Sequence, residues 1–415
     1  MFGKSSKKAI TLITLVSIVA LVMGLIGPAT AAPQDAKVRK IIVFNAGFEN
    51  VADQDTLIKK FGAEKLRDIK LINAKSVLLP PKASAVLENR PEVKRVEDDI
   101  IVKAVHHRNG HGGGPGGGGE EPPPPPPADQ ETPWGIAQIS ADLAWSISTG
   151  TGVKVAVIDT GIDKDHTDLV VSGGELIITN GKYRKKGPND WNDDEGHGTH
   201  VAGTIAAVDD NDGVVGVSPD ALLYAVKVLD NRGSGYASDV AAGIDWAVRN
   251  GMAVANLSLG SSGESLAIRD AVLAADEAGL VIVAAAGNSG PGNDTVIYPA
   301  KQDETIAVAA SDSNNDIAYF SSRGPAVDIT APGVNILSTT NDGLTGTKSG
   351  TSMAAPHVAG TVALMLASDR SLYVNATDVV VPEKVRDKLK LTAFDIGYPS
   401  IAQGAGLIDA FLATR

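Results

Sequence analysis

Val153-Lys154-Val155-Ala156-Val157-Ile158 runs directly into Asp159-Thr160-Gly161. A run that is apolar on both faces but for Lys154 near its start reads as a strand buried on both sides, the mark of a parallel sheet covered by helices. Further strands are expected at Leu222–Val228, Ala253–Leu257, Leu280–Ala285 and Thr305–Ala309, with helices at Ser238–Arg249 and Leu266–Ala278 between them. Repeated strand–helix units imply an α/β fold, a parallel β-sheet flanked by helices on both faces. Functional groups in such sheets gather at the carboxyl ends of the strands, where Asp159 stands. An Asp after a strand is also a common helix cap, so its role depends on what else the chain supplies.

Two other segments supply it. Gly196-His197-Gly198-Thr199-His200-Val201-Ala202-Gly203 opens a small-residue helix to Ala207. Its two histidines could bind zinc, but no Glu lies between them and no third ligand follows at diagnostic spacing. Gly350-Thr351-Ser352-Met353-Ala354-Ala355-Pro356-His357-Val358-Ala359-Gly360 places a serine at a helix start, with Pro356 expected in the tolerant first turn. Unpaired N–H groups and the helix dipole favour negative charge there, which suits an oxyanion beside Ser352.

Composition narrows the setting. Aromatics make up 4% of 415 residues while glycine counts 45, which fits an Ala/Val/Ile/Leu core with many tight turns. There is no cysteine, so stability rests on packing or on hard cations bound by oxygen. Residues 106–415 carry a net charge of −18, which disfavours nucleic acid as a partner.

The first part of the chain divides into three. Lys4, Lys7 and Lys8 precede an apolar run from Ala9 to Ile26, and Ala29-Thr30-Ala31 has the small-x-small form of a cleavage site. Residues 1–31 therefore read as a secretory signal peptide cut after Ala31, with an uncleaved membrane anchor as the alternative. Residues 32–105 read as a small α+β unit, with strands at Val38–Phe44 and Ser76–Leu79, helices at Gln54–Lys65 and Ala83–Asn89, and a last strand region at Val93–Val105. A core of that size is marginal alone and is expected to need a partner surface. Residues 106–129, with Gly112–Gly119 nearly all glycine and Pro122–Pro127 unbroken proline, form a linker. The main domain is expected over residues 130–415.

Asp159-Thr160-Gly161, His197-Gly198-Thr199-His200-Val201-Ala202-Gly203 and Gly350-Thr351-Ser352-Met353-Ala354-Ala355-Pro356-His357, in that order, resemble the signature segments of the subtilisin-like serine proteases. The resemblance covers essentially all of residues 130–415. It implies Ser352 as nucleophile, His197 as general base and acid, and Asp159 as the group that fixes and stabilises the imidazole. Ala284-Ala285-Ala286-Gly287-Asn288-Ser289-Gly290 matches the oxyanion segment, which makes Asn288 a donor beside the Ser352 backbone N–H.

The resemblance also implies that Gly233-Ser234-Gly235 and Ser258-Leu259-Gly260 hold an extended protein or peptide substrate between them by main-chain hydrogen bonds. Ile297 stands where the best-known members have glycine on the floor of the pocket for the residue before the cleaved bond. A small-to-medium apolar residue is therefore expected there. Gln130, Asp168, Val208, Asp210, Asp212 and Val214 match the family's strong calcium site. Thr167 replaces the usual proline before Asp168. Residues 32–105 resemble the family's propeptide, an intramolecular inhibitor and folding helper, with self-cleavage expected near Val105-His106. The sum is a secreted, calcium-stabilised, autoprocessed serine endopeptidase, expected to be monomeric and without stable membrane association once the signal is removed. The alternative is an inactive binding protein on the same fold.

Overall fold

The computed structural model describes residues 36–105, 130–180, 183, 186–374 and 377–415. The signal segment, its Ala31 site and the Gly/Pro linker lie outside the described residues.

The N-terminal unit runs β1 (Val38–Phe44), α1 (Val51–Lys60), β2 (Glu64–Ile69), β3 (Ala74–Leu79), α2 (Ser84–Glu88) and β4 (Val93–Asp98). Its strands form a sheet in the order β2-β3-β1-β4, and β1 pairs antiparallel with β3 and β4. The period-2 pattern of β1 serves two layers. Ile42 and Phe44 pack with Leu57, Ile58 and Leu87 in the unit's own core, whereas Ile41 and Val43 join a core shared with the main domain. The expected need for a partner surface is thus met by that second face.

The helix expected to reach Lys65 ends at Lys60, and Glu64 and Lys65 belong to β2 instead. Gly62, at φ +72, turns the chain there. The strand EKLRDI lacks an apolar alternation, and its polar residues are used in ion pairs: Lys65 with Asp55, and Asp68 with Lys75. The expected single strand over Val93–Val105 is two, β4 and β5 (Ile101–Ala104).

The main domain continues with β6 (Lys154–Asp159), β7 (Val171–Leu176), α3 (His197–Ala206), β8 (Leu222–Lys227), β9 (Ser234–Tyr236), α4 (Ala237–Arg249), β10 (Val254–Leu257), β11 (Leu259–Gly260), α5 (Leu266–Glu277), β12 (Val281–Ala285), β13 (Thr305–Ser311), β14 (Ile329–Pro332) and α6 (Thr351–Ser368). Seven strands form one parallel sheet in the order β14-β13-β12-β10-β6-β8-β7. Alternate residues of β6 face opposite ways, Val155 and Val157 toward α3 and α6, Ala156 and Ile158 toward α4 and α5. Helices therefore cover both faces, as expected for strands apolar on both sides.

The N-terminal unit sits on the α4/α5 side. Glu97 accepts a hydrogen bond from the Ala267 N–H (2.8 Å) and Asp99 one from the Ser238 N–H (2.9 Å). Two carboxylates from the segment after β1–β3 thus cap the first turns of α5 and α4, where unpaired N–H groups favour them. Beyond Asp99 the chain enters the cleft as β5, antiparallel to both β9 and β11.

Candidate active site

Strand β6 ends at Asp159, fully buried at the sheet's carboxyl edge. Its Oδ1 lies 2.8 Å from His197 Nδ1 and accepts the Thr160 N–H at 2.7 Å. Helix α3 can start this close to β6 because residue 198 is glycine. A Cβ there would stand 2.1 Å from the Gly161 carbonyl and 3.2 Å from Asp159 Cβ. The Gly198 N–H instead donates to Thr160 Oγ1 at 2.9 Å, tying the helix start to the strand end. Burial alone pushes the His197 imidazole down, but the charge and hydrogen bond of Asp159, with Glu195 adding, hold it above its ordinary value.

Ser352 is the second residue of α6. Its hydroxyl donates to the carbonyl of Val105 and contacts the Ser258 carbonyl at 3.0 Å. Pro356 lies inside the helix, past the first turn in which it was expected. Proline has no N–H for the carbonyl four residues back, which is that of Ser352. That carbonyl accepts the Ser258 hydroxyl at 2.9 Å instead, so the break in the helix ladder fastens the serine's backbone to β10–β11.

Asn288 Nδ2 donates to the same Val105 carbonyl at 3.2 Å. Its other amide atom, Oδ1, accepts from the Thr351 N–H and hydroxyl, both at 3.0 Å, and Thr351 Oγ1 also accepts the Gly287 N–H at 3.0 Å. Thr351, given no role in the sequence, orients the amide.

The six predicted strand residues meet around β5. The Ala104 N–H donates to the Gly233 carbonyl (2.9 Å) and the Val105 N–H to that of Ser258 (3.1 Å). Val102 and Lys103 pair with Gly235 and Ser234, and Ala104 and Lys103 with Leu259 and Gly260. Ile297 stands against this wall. A Cβ on Gly260 would meet Ile297 Cδ1 at 2.6 Å, and one on Gly287 would meet its Cγ2 at 3.1 Å. The isoleucine side chain therefore fills the space between two glycine backbones.

The residues matched to a calcium site also come together. Gln130 Nε2 reaches the carbonyls of Val208 (2.5 Å) and Val214 (3.3 Å), so those two oxygens converge on one point. Asp168 Oδ2 accepts the Val214 N–H at 2.9 Å, and its Oδ1 is buried without a hydrogen-bond partner among the described residues. Burial, with Asp210 and Asp212 nearby, pushes the Asp168 carboxyl up to about 7. Asp210 and Asp212 turn their carboxylates onto the loop's own N–H groups. Among the described residues no three His, Cys, Asp or Glu side chains cluster as a metal site. A buried carboxylate oxygen without a partner, beside two converging carbonyl oxygens, nevertheless fits a hard cation such as calcium. The zinc alternative finds no support: His200 Nε2 contacts the carbonyls of Ile336 (3.0 Å) and Gly346 (3.1 Å), and burial pushes its ring down to about 3.

Two further groups carried no signal in the sequence. Asp193 caps α3, its carboxylate accepting the N–H groups of Gly196 (2.9 Å) and Thr199 (3.0 Å) and the Thr199 hydroxyl (2.7 Å). Lys227, fully buried beside Asp159 in register, donates to the Thr160 carbonyl and to Asp194 at 2.8 Å.

Among the described residues no helix is long and apolar enough to cross a membrane. Residues 150–406 match the subtilase family model. The chain is 41% identical over 396 residues to subtilisin amylosacchariticus of Bacillus subtilis subsp. amylosacchariticus, with 93% of each chain covered. It is 37% identical to the alkaline protease of Alkalihalobacillus alcalophilus over 99% of this chain and 100% of that one. It is also 46% identical to subtilisin Savinase of Lederbergia lenta over 69% of this chain and all of that one. The inactive binding-protein alternative is not favoured by these likenesses. The chain belongs to the subtilase family and is a serine endopeptidase.

Proposed function

We propose that the chain is a secreted zymogen: a signal peptide over residues 1–31, an inhibitory propeptide over 32–105, a linker over 106–129 and a calcium-stabilised catalytic domain over 130–415. The observation that carries this reading is the seat of Val105, whose carbonyl oxygen receives both Ser352 Oγ and Asn288 Nδ2 while its strand lies between β9 and β11.

In this reading Ser352 Oγ attacks the Val105 carbonyl carbon as His197 takes its proton. Asp159 accepts the Nδ1–H and stabilises the imidazolium. Asn288 Nδ2 and the Ser352 backbone N–H hold the oxyanion. His197 then returns the proton to the amine of residue 106, and water, activated by the same imidazole, releases Val105 as a carboxylate. The freed strand remains paired in the cleft and blocks it until the N-terminal unit is removed. The matured enzyme, a monomer, applies the same steps to protein and peptide substrates bound through their backbones to Gly233–Gly235 and Ser258–Gly260. Ile297 shortens the pocket for the residue before the cleaved bond and favours small-to-medium apolar side chains, Val105 being one. Gln130, Asp168, Asp210 and the carbonyls of Val208, Asp212 and Val214 are the residues that would hold calcium, and a cation there would tie the start of the domain to the loop after α3.

The test is labelling of the matured enzyme with a fluorophosphonate, with casein hydrolysis followed in parallel. Modification of Ser352 alone, with matching loss of hydrolysis, is expected. Full hydrolysis after stoichiometric labelling of Ser352 would overturn the reading.

A further inference from the structure

A cavity of about 240 Å³ opens between the N-terminal unit and the main domain. One wall is Lys65, Leu66 and Arg67 of β2, and the facing wall includes Leu176, Tyr183 and Lys186. Three consecutive residues of a regular strand do not share one face, because side chains alternate. They line one cavity here because the β2–β3 register shifts between Lys65 and Arg67, a bulge that re-aims the side chains of this edge strand.

The cavity gathers positive charge that the nearby carboxylates leave over. Lys65 and the fully buried Lys75 share Asp55 and Asp68, two cations on two anions. Arg67 has no ion pair among the described residues. One of its terminal nitrogens donates to the Leu176 carbonyl at 3.3 Å, and its Nε is buried with no hydrogen-bond partner among the described residues. Glu175 and Asp239 are close enough to feel its charge, but Asp239 is already engaged by Thr179 and Arg39, and Glu175 by Trp246. Lys186 is exposed, and its ammonium lies 5.6 Å over the Tyr183 ring. It ends the run Lys182-Tyr183-Arg184-Lys185-Lys186, four cations in five residues, within a region, residues 106–415, whose net charge is −18. A buried guanidinium N–H without an acceptor is costly, and cations facing one another across an interface repel unless an anion stands between them.

We propose that this cavity binds one free tetrahedral oxyanion of the sulfate or phosphate class, and that the ion, held from both sides, keeps the N-terminal unit on the main domain. The planar fork of Arg67 suits two oxygens of such an ion, and Lys186 supplies a point charge from the opposite wall. The volume accommodates the ion and a few waters at about 30 Å³ each. Because the two walls belong to different units, the site exists only while they are together, and occupancy favours the assembled state by mass action. The binding site stands by itself; its effect on maturation rests on the zymogen reading.

The test titrates sodium sulfate into the Ser352→Ala full chain by calorimetry, with calcium present and against sodium chloride of equal ionic strength. One sulfate per chain is expected, with a dissociation constant of about 1 mM, the size of a few charge-assisted contacts. Binding should weaken about 10- to 100-fold in Arg67→Gln, be partly kept in Arg67→Lys, and weaken in Lys186→Gln, a change at an exposed position that the fold tolerates. The matured enzyme, which lacks β2, should not bind, and dextran sulfate at the same sulfate concentration should not compete. In the wild-type full chain, about 10 mM sulfate should lengthen the lag before casein hydrolysis by up to about 10-fold. No saturable binding, binding undiminished in both Arg67→Gln and Lys186→Gln, or equal binding by the matured enzyme overturns the site. Competition by dextran sulfate overturns the free ion as its ligand, and binding with an unchanged lag overturns the holding role. A wild-type chain that never cuts after Val105 fails the zymogen reading instead, and intact mass tells these failures apart.

Discussion

Replacing Ile297 with glycine should lengthen the pocket for the residue before the cleaved bond. In the present structure this side chain occupies the gap between Gly260 and Gly287, its atoms 2.6 Å and 3.1 Å from where Cβ atoms on those glycines would stand. Removing it frees the volume of four carbons, close to the difference between a valine and a phenylalanine side chain. At about 0.8 kcal/mol per buried methylene-sized group, incompletely realised, a phenylalanine substrate gains about 1.5–3 kcal/mol. That corresponds to about 10- to 100-fold in kcat/KM, while valine, now loosely held, loses a few-fold. The side chain is only partly buried, so the stability cost stays at the low end of large-to-small changes, about 1–3 kcal/mol. The assay is kcat/KM for peptide anilides ending in Val, Leu and Phe, normalised by active-site titration so that folding losses cancel. A Phe:Val ratio unchanged in Ile297→Gly would refute the claim that Ile297 sets pocket depth.

Other changes read out the remaining parts of the site. Asn288→Ala should lower kcat by about 10²–10³-fold with little change in KM, the loss already known for oxyanion-hole donors of this enzyme class; an equal rise in KM would point to ground-state binding instead. Asp99→Ala in the full chain removes the carboxylate that accepts the Ser238 N–H and hydroxyl and the Arg39 guanidinium. Losing such a cap costs about 1–3 kcal/mol, so the lag before casein hydrolysis should shorten, and a lengthened lag would show that the cap matters more for folding than for inhibition. Asp239 is fully buried, and burial pushes its carboxyl up to about 6, Arg39 opposing and Asp99 adding. A carboxyl raised in the folded state contributes stability below about pH 4 that is lost as pH rises through about 6. In the Ser352→Ala background, Asp239→Asn should therefore gain on its parent by up to about 3 kcal/mol between pH 4 and 7, and a flat difference in denaturant unfolding would contradict this. Calcium at about 100 times its dissociation constant should stabilise that same protein by about 2.7 kcal/mol, an increment that thermal unfolding should show to be absent in Asp168→Ala.

Much of this was legible in the sequence because the segments involved have little freedom. The strands β6, β8, β10, β12 and β13 are apolar on both faces, so composition alone marks them, and the small residues around Asp159, His197 and Ser352 are dictated by close backbone approach. The edge strands were not legible. Strand β7, with the sequence VSGGEL, is broken by two glycines, and β14, ITAP, is too short to show a period. Nor did β2 show one, because its charges serve ion pairs rather than a core. Within the site, the groups that orient others left no pattern: Thr351 holds Asn288 from 63 residues away, and Lys227 meets Thr160 only because β6 and β8 are neighbours. Pro356 was legible as a helix residue, but its effect on the Ser352 carbonyl emerges only when Ser258 is brought beside it.

The most direct measurement follows the intact mass of the purified full chain, with calcium, against its Ser352→Ala variant. The wild type should shed a fragment ending at Val105 while Ser352→Ala stays whole. Cleavage of the Ser352→Ala protein alone at the same bond and rate would contradict self-processing through Ser352, and a wild-type cut at another bond would contradict the seat assigned to Val105.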